Sequence, residues 1–415
     1  MAHERSATTA PTLRAVSVLA LVLGLGFLPA HHGRPEDAVA APVPPRSGVG
    51  SIQRFLTPAY DPTDAMGRKP DEEIVASGDV IIIQTRMAHR VAGLRAQAAR
   101  MGKPIKILLY ELPQQPGPWM SFFPEADAHE DWWLHNPESA LSRDARVRRR
   151  DRPGILDFRR KDVRDFIIAH VMTKWIRPYN LDGYWNDAPS HSLRRLDWIH
   201  PPTADQVATW PAGIAAFATE MDAALGSKLF GWNNLTHRFD LSVNPDLASP
   251  ALDVVRAKTD LHMIEFAYHA RFQCVDESSS EANVEAQLRF IQTLTLDAGK
   301  NFQAYSGTAF RHSDPTTGRC TGRAGTPDEI NRWRDFSFAA YLMQAGRNDT
   351  YTWYLNGPVD HAFLQALQVG MPLGPRQKIN GVWVREFTGA TVKVNLSPSE
   401  TRDGILPQRA VFIPK

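Results

Sequence analysis

Two cysteines in 415 residues are too few for a thiolate cage, which takes about four ligands at a structural zinc, and too few for a disulfide scaffold. Charge of one sign is missing as well. The 47 Lys and Arg against 45 Asp and Glu leave a formal +2, so no sequence-wide field draws in nucleic acid or an anionic lipid surface. Beyond the N-terminal region no apolar run reaches the ~20 residues of a membrane-spanning helix. There is no GxGxxG or GxxxxGK turn for a nucleotide phosphate and no GxSxG elbow for a nucleophilic serine. His129-Glu130 and His135 lack the HExxH spacing, and His262 and Glu265, three apart on a strand, would point to opposite faces. A paired HxH on the first strand, which a metal-dependent amidohydrolase barrel needs, is absent. No metal site is expected.

What is present is ordinary for a folded globular chain: 43% apolar, 22% charged and 9% aromatic residues, with eleven tryptophans. Arg5 and Arg14 precede the apolar run Ala15–Ala30, which is short for a span but suits a signal-peptide core, and Ala38-Val39-Ala40 is a small-x-small site. Residues 1–40 are therefore expected to be a signal peptide or an N-terminal anchor, and 41–51, with Pro42–Gly50, a linker. The mature chain would be secreted or periplasmic. There Cys274 and Cys320 can pair in a disulfide, or remain two separate buried thiols.

From Ile52 onward, apolar runs with β character alternate with helical patterns. The expected strands are Gln53–Tyr60, Asp79–Thr85, Lys106–Leu112, Leu181–Asp187, Lys228–Asn234, Leu261–Tyr268, Asn301–Ser306 and Tyr351–Asn356. Between them Val163, Phe166, Ile167 and Val171 recur at helical spacing, as do Trp210, Ile214, Phe217 and Met221, and Val284, Leu288 and Ile291. Thr326-Pro327-Asp328-Glu329 carries a capping box with proline at the first helical position, and Phe336–Met343 continues that helix. Eight apolar strands alternating with helices predict an α/β protein, a (β/α)8 barrel over 52–375. Tyr110–Arg160 reads as a long loop over one barrel end. After residue 375, Gly381–Phe387 and Thr391–Asn395 alternate around a Thr388-Gly389 turn; with Ala410–Ile413 they predict a small antiparallel β appendix over 376–415. No internal repeat stands out.

In a parallel barrel, chemistry sits at the C-terminal ends of the strands. Asp187 ends the fourth expected strand and Glu265 lies near the end of the sixth. If Gly183, Trp185 and Asp187 share one strand face, and Leu261, Met263 and Glu265 another, both carboxylates project inward at one mouth. Hydrolysis of an acetal link needs such a pair, one group protonating the leaving oxygen and the other attacking the sugar carbon or activating water. A capping or arginine-paired carboxylate is the alternative for each. Asp182, ahead of Gly183, is expected to brace the barrel bottom, while Glu111 and Asp157 are substrate contacts or structural.

These segments resemble a known family. Asp157-Phe158 with Asp162-Val163-Arg164-Asp165-Phe166, then Leu181-Asp182-Gly183-Tyr184-Trp185-Asn186-Asp187, look like the D…PEVREF helix and DGIFLDN strand of hypothetical glycosyl hydrolases with TIM barrels. Pro372-Leu373-Gly374, Val384 to Gly389, and Val392, Val394 and Asn395 match that family's closing PLG…Y.R.F.NG.V.VN tail. Lys161 stands where the family usually has proline, and Asn186 and Ala188 depart from it around the aspartate. The resemblance implies a glycoside hydrolase. In the related α-galactosidase-like retaining barrels the place of Asp187 holds the nucleophile, so retention is implied too. Glu265 is matched only by its place on strand six, as general acid/base. No cofactor is implied, since two carboxylates suffice.

Aromatic residues near the strand ends fit a carbohydrate substrate, because sugar rings stack on them through C–H faces: Trp185, Trp232, Tyr268, Tyr305 and Trp353, with core packing the alternative for each. Asn233 suits hydroxyl recognition or a turn, and Trp132-Trp133 a stacking edge or a pin for the long loop. Arg146–Arg152 reads as a solvated basic patch. The expectation is an exported glycoside hydrolase. Its rival is a non-catalytic carbohydrate-binding or cell-envelope protein on a degenerate barrel, which would keep the aromatics without both acids in register.

Overall fold

The protein is described from a computed structural model covering residues 55–59, 66–149, 152–187, 193, 198–233, 250–265, 274, 276, 279–293, 300–307, 311–314, 316, 320, 322–346, 349–354 and 361–415. The expected N-terminal signal and linker lie outside these residues. Eight strands follow one another in the chain: β1 Leu56–Ala59, β2 Val80–Ile83, β3 Lys106–Glu111, β4 Gly183–Asn186, β5 Leu229–Trp232, β6 Leu261–Glu265, β7 Asn301–Gly307 and β8 Thr350–Tyr354. They form one parallel sheet in that same order. A parallel bridge from Phe55 to Tyr351 brings the first strand to the last, so the sheet closes on itself.

A helix follows each strand: α1 Asp71–Ser77, α2 Val91–Arg100, α3 Lys161–His170, α4 Ala204–Leu225, α5 Pro250–Lys258, α6 Glu281–Gln292, α7 Pro327–Gln344 and α8 Ala362–Ala366. The helical spacing read from the sequence holds, since Trp210, Ile214, Phe217 and Met221 on α4 and Val284, Leu288 and Ile291 on α6 are all buried. The Thr326/Glu329 capping box opens α7, and a second one, Thr203/Gln206, opens α4.

Alternation along the strands separates two layers. Val80, Ile82, Leu108, Trp185, Leu261 and Met263 fill the cylinder, with Tyr110 and Leu229 against them. Their neighbours Ile81, Ile83, Ile107, Leu109, Tyr184, Phe230 and Trp232 face the helices. Two glycines make the interior possible. A Cβ on Gly231 would lie 2.2 Å from the Trp185 ring, and one on Gly183 would lie 2.1 Å from the Leu229 carbonyl oxygen.

The N-terminal end of the barrel carries a regularity that the sequence reading missed. Asp79, Asp182, Asp260 and Asp349 each stand immediately before an even-numbered strand. Each carboxylate accepts a backbone N–H at the start of the preceding strand: Phe55 at 2.9 Å, Ile107 at 2.9 Å, Phe230 at 2.9 Å and Phe302 at 2.7 Å. Asp182, expected at the bottom, also pairs with Arg95 at 2.9 Å and Lys106 at 3.5 Å. Asp349 is 2% exposed and takes a second N–H, from Gly346 at 2.7 Å. Asp349→Ala strands two buried donors and is expected to cost about 2–4 kcal/mol. Asp349→Asn, which keeps one acceptor, should cost less. Urea unfolding of the three proteins checks the order.

The appendix is an antiparallel sheet of β9 Gln377–Ile379, β10 Val382–Glu386, β11 Ala390–Val394 and β12 Ala410–Pro414, in that order. The short β9 was not expected. Val392, Val394 and Phe387 share one buried cluster with Phe338 and Tyr341 of α7, and Phe412 packs on Phe338 with ring centres 6.2 Å apart. Arg385 reaches the C-terminal end of α7, donating to the Leu342 and Ala345 carbonyls at 2.7 and 3.1 Å. Cys274 and Cys320, on the segments after β6 and β7, are joined in a disulfide. Among the described residues no helix is long and apolar enough to cross a membrane.

Candidate active site

Trp185 sits inside the cylinder, and Asp187, two residues further along, leaves β4 at its C-terminal end. A backbone bond from Asp187 N to the Glu111 carbonyl, 2.9 Å, continues the β3–β4 pairing past the strand. The Asp187 carboxylate is half-buried and both its oxygens are engaged. The Tyr110 hydroxyl donates to Oδ2, and the Asn233 side-chain NH2 donates to Oδ1. Tyr110 comes from the interior face of β3, and Asn233 directly follows β5. Three consecutive strands thus hold one acidic group at the mouth.

Glu265 ends β6, in register with Tyr305 of β7 and two residues beyond Met263, which fills the cylinder. The side chains of Glu265 and Tyr305 lie outside the described residues, as does Tyr268 altogether.

Other expected contacts occupy the layer between sheet and helices. Glu111 is 1% exposed and on the outward face of β3. Its Oε1 accepts from Ser121 at 3.4 Å, and Oε2 has no hydrogen-bond partner among the described residues. Burial pushes its carboxyl up to about 8, against the Ser121 bond, which lowers it. Asn186, its neighbour in register, is also sealed in, and among the described residues neither its amide atoms nor the Tyr184 hydroxyl has a hydrogen-bond partner. Asp157 is buried beneath Arg159, which grips it through two bonds of 2.9 and 2.8 Å. Trp232 and Trp353 are 1% exposed and belong to the outer clusters, and Trp185 is sealed inside the cylinder. These three are core side chains without an open face for stacking.

The long β3–α3 connection corrects the reading of Arg146–Arg152 as a solvated patch at its first residue. Arg146 is 1% exposed. Its guanidinium lies 4.0 Å over the Trp133 ring and bonds Asp127 at 2.9 Å and Glu130 at 2.8 Å. Glu130 also holds His135 at 2.9 Å. Trp133 is the pin of this loop, donating to the Ala126 carbonyl at 3.1 Å. Arg146→Met takes the guanidinium away from Glu130 and leaves Asp127 with Arg143 alone. It should destabilise the protein by about 2 kcal/mol or more and open residues 112–160 to limited proteolysis. An unchanged cleavage rate would show that the loop is held elsewhere.

The sequence matches no protein-family model and no curated protein. In structure the chain is similar to a variant of the glycoside hydrolase domain of PelA from Pseudomonas aeruginosa, with 13% identity and a TM-score of 0.43 over 72% of this chain and 93% of that one. It is similar to the alpha-amylase from Geobacillus thermoleovorans complexed with acarbose, with 12% identity and a TM-score of 0.46 over 85% and 88%. It is also similar to the galactosidase domain of the alpha-galactosidase-sucrose kinase AgaSK, with 12% identity and a TM-score of 0.42 over 82% of this chain but 46% of that one.

Proposed function

We propose that the chain is an exported glycoside hydrolase in which Asp187 and Glu265 form the catalytic pair. The observation that carries the reading is the Asp187 carboxylate, held at the mouth of a closed barrel by Tyr110 and Asn233. A carboxylate accepting two hydrogen bonds is held in one orientation, which suits a nucleophile or base. Glu265, two residues beyond Met263 on β6, takes the acid/base role.

The reaction then runs in two balanced steps. Asp187 attacks the anomeric carbon while Glu265 protonates the departing oxygen, leaving a glycosyl ester and an alcohol. Water, deprotonated by Glu265, then cleaves the ester and regenerates both carboxyl groups. Carboxyls ~5 Å apart give retention, and ~6.5–9.5 Å leaves space for water and gives inversion. We favour retention. Trp185 forms the floor, and Tyr268 and Tyr305 are the candidates for stacking a poly- or oligosaccharide. The disulfide and the apolar run Ala15–Ala30 favour an oxidising compartment.

The test is turnover by the purified chain on a glycan panel and on 4-nitrophenyl glycosides, with the anomer of the first product read by NMR. Hydrolysis with retained configuration is expected. No hydrolysis of any member would leave the non-catalytic carbohydrate-binding reading.

A further inference from the structure

Asn233 is 4% exposed, and its backbone N–H is fixed on the Asn186 carbonyl at 2.9 Å. Its amide cannot be turned over, because a carboxylate only accepts hydrogen bonds and Nδ2 must face Asp187. That orientation leaves Oδ1 buried with no hydrogen-bond partner among the described residues. An acceptor so placed costs about 1–3 kcal/mol until something donates to it. Oδ1 and Nδ2 share one carbon, so the acceptor lies within about 5 Å of Asp187 Oδ1. When Asp187 closes on an anomeric carbon, the neighbouring carbon is one bond away, and its hydroxyl comes within reach of that acceptor.

We propose that Asn233 Oδ1 accepts a hydrogen bond from the hydroxyl on the carbon next to the anomeric centre, which makes Asn233 the residue selecting sugars that carry a free hydroxyl there. The inference rests on the glycosidase reading above. Tyr110 provides the internal control, because it holds the other oxygen of the same carboxylate and offers the sugar no orphaned acceptor. Loss of either side chain disturbs Asp187, but only loss of Asn233 removes the acceptor.

The experiment compares kcat/KM on 4-nitrophenyl glucoside and galactoside with their 2-deoxy counterparts, for the wild type, Asn233→Ala and Tyr110→Phe. Both variants should slow on every substrate. The preference for the hydroxylated sugar should collapse by about tenfold or more in Asn233→Ala and hold within about twofold in Tyr110→Phe. Asn233→Leu, which keeps the shape of the side chain and carries no acceptor, should show the same collapse and serves if the alanine variant does not fold. An unchanged ratio in the Asn233 variants overturns the inference and leaves the glycosidase reading standing. No turnover by the wild type on these glycosides or on any member of the glycan panel overturns both.

Discussion

Asp187→Asn is expected to lower turnover by about a hundredfold or more while the protein unfolds at the same urea concentration. The substitution is nearly isosteric. The new amide can offer its oxygen to the Asn233 NH2 and its own NH2 to the Tyr110 hydroxyl oxygen, so both bonds at the mouth survive. What disappears is the negative charge and the oxygen nucleophile. Glu265→Gln should lose as much on substrates with poor leaving groups, and much less on 2,4-dinitrophenyl glycosides, whose leaving oxygen needs no proton. That contrast separates the donor from the nucleophile. Wild-type turnover in either variant would remove that residue from the pair.

The second large effect concerns Glu111 and stability rather than turnover. Burial raises its carboxyl to about 8, whereas in the unfolded chain it titrates near 4.5. Between those values the folded state holds a proton that the unfolded state has released. Raising the pH therefore favours unfolding across this window, by up to about 1.4 kcal/mol per pH unit, and the effect levels off above about pH 8. Glu111→Gln, a stand-in for the protonated acid that still accepts from Ser121, should remove this dependence. Urea titrations from pH 5 to 9 should show the variant gaining on the wild type by several kcal/mol, with parallel curves as the result that contradicts it. The backbone carbonyl of Glu111 takes the Asp187 N–H, so charging this group is also expected to depress turnover above about pH 8.

The barrel could be read in advance because each strand is a short apolar run in a regular alternation with helices, and because the α7 capping box is a local signal. Asp187 stood out as a carboxylate at the end of such a run. Tyr110 did not, since an aromatic residue inside an apolar strand looks like core until a partner from another strand is placed beside it. Trp232 faces the helices because it shares the parity of Phe230, while the intervening Gly231 makes room for Trp185. The clue was a glycine inside the strand. Arg146 looked solvated for a related reason. Its partners Asp127, Glu130 and Trp133 lie more than ten residues away along an irregular loop, where no periodicity announces a contact.

The four aspartates divide the cylinder into quarters, each a pair of neighbouring strands latched by its own carboxylate. Each pair is thereby secured at the rim farthest from the mouth, and the loops of the opposite rim are released from that task. Lengthening, exchanging or grafting those loops should alter what the mouth accepts without opening the wall. A transplanted rim from another barrel would have to respect the alternation of latched and unlatched strands, not the sequence of the wall itself.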